Sequence, residues 1–342
     1  MFRQAIAIDI GSRSTKIAVK NKKSTFRPNR EVFDGIYSEA SCIAAQKGLK
    51  GEYLFGNEAL DSYAELAFPV QEGAAANSRL LTVFIRRLCA KYCEGRSISK
   101  LELNIAMSKS LGVMKNRNLL QRALEPTGAK SIAFHDASLM AAIGAGMDIM
   151  SENASMLVNI GAETLRTAVV ANGGVLFESC IGGAGNSVTR ELIQLFKNKY
   201  GLVIGSGMAE EIKLNLSRPA FVVDGRDLFT GMPRTITAYH DEVASVTDAM
   251  ADEVTECIID AVKALQVDAA ADIADTGIML VGGGAKLYGL EEKLRAKLKL
   301  PVTLAENAET AVIDGMNSCI FEDNRGICSW NIGYALEEVM AE

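Results

Sequence analysis

The sequence is short of the residues from which most metal and redox sites are built. Its 342 residues include two histidines, His135 and His240, and seven scattered cysteines with no CxxC pair. That excludes the usual zinc frameworks and points to reduced thiols in a cytoplasm. Long apolar runs are missing too. A membrane-spanning helix needs ~20 consecutive apolar residues, and the most apolar stretch, 139–147, is too short and holds two glycines. A strand-like run begins after Gln4, which leaves no room for a signal peptide. No GxxxxGK[ST] sequence is present, so a P-loop is excluded, and the lack of a well-placed GxGxxG argues against a dinucleotide fold. Positive charge is in deficit: 36 Lys and Arg against 42 Asp and Glu give a net charge of −6. That balance argues against a general nucleic-acid binder.

What is present is an ordinary globular composition, 49% apolar and 23% charged. At ~150 residues per domain the length fits two domains. Apolar β-branched runs alternate with amphipathic stretches. Strand-like segments lie near 103–106, 131–134, 277–281 and 301–304, and helical spacing covers 117–124, 187–200 and 242–266. This is an α/β pattern.

One pattern occurs twice. Ile6-Ala7-Ile8-Asp9-Ile10-Gly11 runs into a hydroxyl-rich turn and a second strand, Lys16 to Val19. Met156-Leu157-Val158-Asn159-Ile160-Gly161 does the same, with Asn159 and Gly161 each 150 residues after Asp9 and Gly11. Two hairpins at domain spacing imply a duplicated domain. In the first, Gly11, Ser12, Arg13, Ser14 and Thr15 gather backbone N–H groups and hydroxyls in one concavity, an anion nest suited to phosphate. Asp9 just before the turn is the candidate Mg²⁺ ligand, and Lys16 the candidate phosphate counter-charge. In the second, Gly161, Ala162, Glu163 and Thr164 occupy the matching places. A single hairpin of this kind also reads as a plain surface turn.

Two further pieces follow. The strand-like 278–281 ends in Gly282-Gly283-Gly284-Ala285-Lys286, where a ligand can lie against bare backbone and a helix starting near Lys286 would offer its N–H groups. Glu210 and Lys213 are three apart on a helix and can face one point, although a solvated ion pair has the same spacing.

Together these pieces resemble the actin superfamily of ATPases, and within it the bacterial actins of the MreB and MamK type. Asp9-Ile10-Gly11-Ser12 with Lys16 resembles the first phosphate motif, Asn159-Ile160-Gly161-Ala162 the second, and 277–285 the adenosine motif. The stretches 200–213 and Gly225-Arg226-Asp227-Leu228-Phe229-Thr230-Gly231-Met232-Pro233-Arg234-Thr235-Ile236 are similar to segments specific to MreB-type proteins, and the resemblance spans about 8–316. It implies an actin-like fold of two duplicated RNase H-like domains with a nucleotide cleft between them. Domain I would hold 1–148 plus 317–342, with a small inserted subdomain at about 21–75. Domain II would hold 149–316, with a small subdomain at about 180–255. It also implies ATP/ADP and Mg²⁺ as ligands, self-association into filaments with adaptor proteins, and a cytoplasmic, bacterial setting.

The departures bear on mechanism. Asn159 stands where the family has Asp, and Glu163 sits in a loop that is normally Gly-rich. The acid that orients the attacking water is replaced by Ala137, with Asp136 one place earlier as the candidate catalytic carboxylate. Arg13, at the repeat-equivalent place of Glu163, is expected to pair with it across the cleft. Slow hydrolysis is therefore expected. A pseudo-ATPase scaffold and a non-polymerising assembly or chaperone ATPase remain open. The polar loop at 90–100 gives no support for direct membrane anchoring.

Overall fold

The computed structural model describes residues 4–20, 35–45, 53–62, 65–93, 97–107 and 113–321. Its first stretch runs β1 (Gln4–Ile10), β2 (Ser14–Val19), β3 (Gly35–Ala40), β4 (Ile43–Ala45), β5 (Tyr53–Phe55), α1 (Asn57–Leu60), β6 (Leu66–Ala67), β7 (Val70–Gln71) and β8 (Ala74–Ala75). Then come α2 (Ser78–Tyr92), β9 (Leu101–Met107), α3 (Val113–Leu124), β10 (Ser131–Asp136) and α4 (Ala137–Gly144). The second hairpin and its neighbours follow as β11 (Ser155–Ile160), β12 (Thr164–Ala171), β13 (Gly174–Gly182), α5 (Ala184–Tyr200), β14 (Leu202–Val203), α6 (Ser206–Leu214), β15 (Ala220–Asp227) and β16 (Pro233–Tyr239). The chain then forms α7 (His240–Val243), α8 (Ser245–Ala264), α9 (Val267–Thr276), β17 (Ile278–Val281), α10 (Leu290–Leu298), β18 (Val302–Leu304) and α11 (Ala311–Phe321).

The described residues separate into two compact units. One is drawn from residues up to Ser151, from Asn172–Val175 and from Glu309 onward; the other from Glu152–Ala171 and Leu176–Ala308. Each unit holds a five-stranded sheet, in the orders β10-β9-β1-β2-β3 and β18-β17-β11-β12-β13. The two orders are the same arrangement: a hairpin with a third strand beyond it and two parallel strands on its other side. The hairpin registers match as well. Asp9 lies opposite Lys16 and Ile10 opposite Thr15, while Asn159 lies opposite Arg166 and Ile160 opposite Leu165. The repeat seen in the sequence is therefore a repeat of sheet topology.

Period-two alternation puts Ile6, Ile8, Ile17 and Val19 into the first core, where they meet Leu81, Phe84, Ile85 and Leu88 of α2 and Leu120 and Leu124 of α3. On the other face α4 and α11 pack on each other and on the sheet. Their crossing depends on two glycines. A Cβ at Gly144 would stand 1.8 Å from the Ala311 carbonyl oxygen, and one at Gly315 would stand 1.9 Å from that of Met140. Both contacts are backbone, so the helices would have to move apart. Gly315→Ala is expected to cost about 3 kcal/mol in a denaturant titration, at the upper end of overpacking penalties; an unchanged midpoint would refute the close crossing.

Several expectations change here. The sequence reading ended the second domain at 316, but α11 (311–321) packs with α4 in the first unit, because only small residues allow that contact. The strand 35–40 belongs to the main sheet, so the small insertion begins after it, with β4, β5 and β6 as a separate sheet. The helical stretch 242–266 is broken: α7 gives way to α8, and Leu265 and Gln266 are extended before α9. Cys42, Cys89, Cys93, Cys180 and Cys257 are free thiols. Residues 21–34 and part of the loop 90–100, on which the insertion and anchoring readings bear, lie outside the described residues. No described helix is long and apolar enough to cross a membrane.

Candidate functional site

In open sheets of this kind, ligand-binding loops sit at the carboxyl ends of the parallel strands. The candidate residues of each unit collect there. In the first unit β1 and β10 both run parallel to β9, and they end near Asp9 and at Asp136. Asp9 and Lys16 face each other across the hairpin as a 3.8 Å ion pair, their side chains 18% and 17% exposed. The turn between them is braced from outside. The Ser41 hydroxyl donates to the Gly11 carbonyl at 2.6 Å, and the Ser41 N–H donates to the Arg13 carbonyl at 2.9 Å. Ser12 Oγ accepts the Gly73 N–H at 3.4 Å. Ser14, the first residue of β2, is partly buried, and Arg13 is exposed.

Two predicted site residues of this unit have structural work. Thr15 is fully buried and its hydroxyl bonds to Ser41 at 2.9 Å, so it braces the turn instead of facing a ligand. Asp136 is 6% exposed and caps α4, with Oδ1 accepting the Ser138 and Leu139 N–H groups at 2.9 and 3.2 Å. The two roles of Asp136 separate by mutation. Asn also caps, so Asp136→Asn should keep stability near that of the parent, whereas Asp136→Ala should lose about 1 kcal/mol. If Asp136→Asn also keeps phosphate release from ATP unchanged, the residue is a cap and not the catalytic acid.

In the second unit four pieces meet. Gly185 and Asn186, at the start of α5, donate N–H bonds to the Gly161 and Ala162 carbonyls at 3.0 and 2.6 Å. Gly183 donates to the Glu163 carbonyl at 2.9 Å. Gly161 closes the hairpin turn by donating to Thr164 O at 2.9 Å. The glycine loop after β17 lies against the same hairpin: a Cβ at Gly282 would stand 2.3 Å from the Ile160 carbonyl oxygen and 2.5 Å from Asn159 Oδ1. Gly282 also has φ +88, a conformation that favours glycine. Gly284 is equally confined, with Ile160 Cγ2 at 2.6 Å from its would-be Cβ, whereas Gly283 and Lys286 are exposed. Ala285 is 1% exposed and belongs to the core, so it lends only backbone to any ligand. The helix expected near Lys286 begins at Leu290; 283–286 is a single 3-10 turn, and Gly289 stands left-handed before the helix.

Glu210 and Lys213 form a 2.7 Å pair, each side chain 11% exposed, so the solvated alternative does not hold. Lys213 Nζ also donates to the Gly185 carbonyl at 3.0 Å and to Thr189 Oγ1 at 3.1 Å, and Thr189 donates to Glu210 Oε2 at 3.0 Å. The pair thereby grips the start of α5, which holds the 161–163 turn. Glu163 accepts a 3.3 Å bond from Asn186 Nδ2 within the same unit. Its carboxylate thus lies beside the first turn of α5, where a negative charge is favoured.

Sequence reasoning missed three residues. Ser41 supports the first turn from 26 residues beyond Thr15, and no local pattern signals that. Asn104 Oδ1 accepts from Nε2 of His135, the residue before Asp136, at 3.0 Å, and burial pushes the pKa of His135 down. Arg166 lies opposite Asn159, and its Nε is buried without a hydrogen-bond partner among the described residues. The 150-residue repeat from Lys16 could have singled it out.

The family model described as MreB/Mbl protein matches residues 3–326. The chain belongs to the MreB/Mbl family. The family's curated members share modest identity along nearly the whole length. The cell shape-determining protein Mbl of Bacillus cereus is 27% identical over 328 residues, covering 92% of this chain and 95% of that one. The cell shape-determining protein MreB of Escherichia coli is 24% identical over 337 residues, covering 92% of each. Among solved structures, MreB 5 of Spiroplasma citri bound to AMPPNP has a TM-score of 0.85 at 20% identity, covering 96% of this chain and 99% of that one. The MamK double helical filament has a TM-score of 0.73 at 18% identity, covering 92% and 97%. The fold is accordingly the actin-like fold that the motifs implied.

Proposed function

We propose that this MreB/Mbl-family chain is an ATP-binding cytoskeletal protein that assembles into filaments with ATP and hydrolyses it slowly. The observation that carries this reading is the doubled hairpin with its glycine loop: two phosphate-type turns in the same register, each at the carboxyl edge of its sheet. The structural relatives support the ligand and the assembly, since MreB5 is seen with AMPPNP and with ADP, and MamK as a double helical filament.

The residues fit the ligand. The exposed Gly283 backbone and the Gly161–Thr164 turn offer contacts for adenosine and phosphate. Lys16, and Arg166 in the matching place, offer positive charge. Among the described residues no group of three or more His, Cys, Asp or Glu could hold a metal ion. A single carboxylate, Asp9, suits Mg²⁺ that keeps its waters and phosphate ligands. Bound Mg²⁺ would supply charge neutralisation at the phosphates. Asp9 would orient it directly or through water, and Lys16 would hold Asp9 in place.

A second reading, a nucleotide-binding scaffold without turnover, is favoured by one cluster of facts. Ala137 replaces the acid, Asp136 is engaged as a helix cap, and Glu163 brings a carboxylate into a phosphate loop. Like charges ~5 Å apart at an effective dielectric of ~20 repel by roughly 3 kcal/mol.

Calorimetry tests the shared core of both readings. Gly283→Asp places a carboxylate where the ligand would lie on bare backbone, and it should abolish ATP binding in a protein that still folds. Equal affinity in parent and variant would remove the proposed site.

A further inference from the structure

The two hairpins share a register but not a charge. In the first, Asp9 faces Lys16 across the ladder and forms a 3.8 Å ion pair with it, so the pair sums to zero. In the second, Asn159 faces Arg166. The acid is gone and the cation is kept. On the β17 side the same row continues with Val281, which is apolar. Asn159 Oδ1 lies toward the glycine loop, 2.5 Å from where a Gly282 Cβ would stand. The one carboxylate of the turn, Glu163, accepts from Asn186 Nδ2 at 3.3 Å. With Glu163 counted, the second turn sums to zero, and its cation is the group left over. Arg166 Nε is buried with no hydrogen-bond partner among the described residues.

A guanidinium nitrogen in that state is costly, because burial removes its water and no acceptor replaces it. Such a donor calls for an acceptor from outside the chain. Its place says which kind. Arg166 is two residues beyond Thr164, whose carbonyl closes the turn by accepting the Gly161 N–H at 2.9 Å. It therefore stands at the carboxyl edge of β11, beside the turn that offers its backbone to phosphate. A guanidinium presents a planar fork of donors that matches phosphate oxygens in pairs, and it stays charged at every working pH.

We propose that Arg166 binds the nucleotide's phosphates directly, as a cation built into the second hairpin, and that ATP binding by this chain depends little on Mg²⁺. The proposal rests on the nucleotide reading and adds to it. A carboxylate at the end of β11 would repel a phosphate, and a divalent cation would have to bridge the two. Asn159 removes that need on the second turn. On the first, the Asp9 charge is already met by Lys16. Asp9 with Mg²⁺ then strengthens binding without being required for it.

Titration calorimetry of ATP in excess Mg²⁺ and in EDTA tests this. The parent is expected to lose less than about threefold in affinity when Mg²⁺ is chelated, a small fraction of the total binding. Arg166→Met is expected to bind about 10- to 100-fold more weakly than the parent in EDTA, the loss of a charge-assisted hydrogen bond, and to regain most of that in Mg²⁺. Arg166→Lys should keep the indifference to Mg²⁺ at a lower affinity, since it restores the charge and not the fork. Asn159→Asp gives Arg166 a partner within the chain, and should make ATP bind about tenfold more weakly in EDTA than in Mg²⁺. Melting without nucleotide is the control for folding. Arg166→Met should melt no lower than the parent, because it removes a buried donor that has no acceptor. A lower melting point would show that Arg166 has a structural partner, and would overturn the proposal. So would a parent that binds ATP only with Mg²⁺, or an Arg166→Met variant equal to the parent in EDTA; both leave the nucleotide reading intact. A parent that binds ATP under neither condition overturns both.

Discussion

Protein carrying Ala137→Glu is expected to release phosphate from ATP about 10²–10⁴ times faster than the parent chain, the usual contribution of a positioned acid–base group. Ala137 is the first residue of α4, directly after the capping Asp136 at the carboxyl end of β10. A carboxylate introduced there gains from the positive end of the helix. The site is 4% exposed, and burial raises a carboxyl pKa toward the working pH, which suits a general base. A coupled phosphate assay on parent and variant reads the difference. Unchanged turnover, with ATP binding intact, would show that water orientation is not what the chain lacks.

Lys213→Met is expected to destabilise the second unit by about 3–5 kcal/mol, because it leaves Glu210 buried without its countercharge. The same change cuts the bonds from Nζ to Gly185 and Thr189, which hold the start of α5. Nucleotide affinity should fall with it, since α5 carries the 161–163 turn on its first N–H groups. Adding Glu210→Gln should restore much of the stability by removing the stranded charge, without restoring the grip on Gly185. Denaturant titrations of the single and double variants separate the two effects. A single variant as stable as the parent would mean that the pair is solvated after all.

These two sites show what was legible in the sequence. The hairpin repeat could be read residue by residue, because strand alternation and a two-place turn are local, and the offset carried Asp9 onto Asn159 and Gly11 onto Gly161. The glycine loop was legible for the same reason: only backbone as bare as Gly282 and Gly284 fits against Ile160. What the sequence hid are partners supplied by distant segments. Thr15 looks like any loop hydroxyl until Ser41 is found against it. Glu210 and Lys213 have the spacing of a surface pair, and only α5, packed across them, makes them a buried clamp. Asp136 reads as a catalytic acid by position, yet the helix that begins beside it takes its oxygen. The boundary near 316 was misplaced because α11 is set by its fit to α4, through Gly144 and Gly315, not by any break in the chain.

Electron microscopy of the purified protein, with and without ATP and Mg²⁺, tests the central claim most directly. The account predicts filaments with ATP and Mg²⁺ in the parent and none in Gly283→Asp, which should not bind the nucleotide. Filaments that form equally well in Gly283→Asp, or a parent that stays monomeric with saturating ATP, would contradict it.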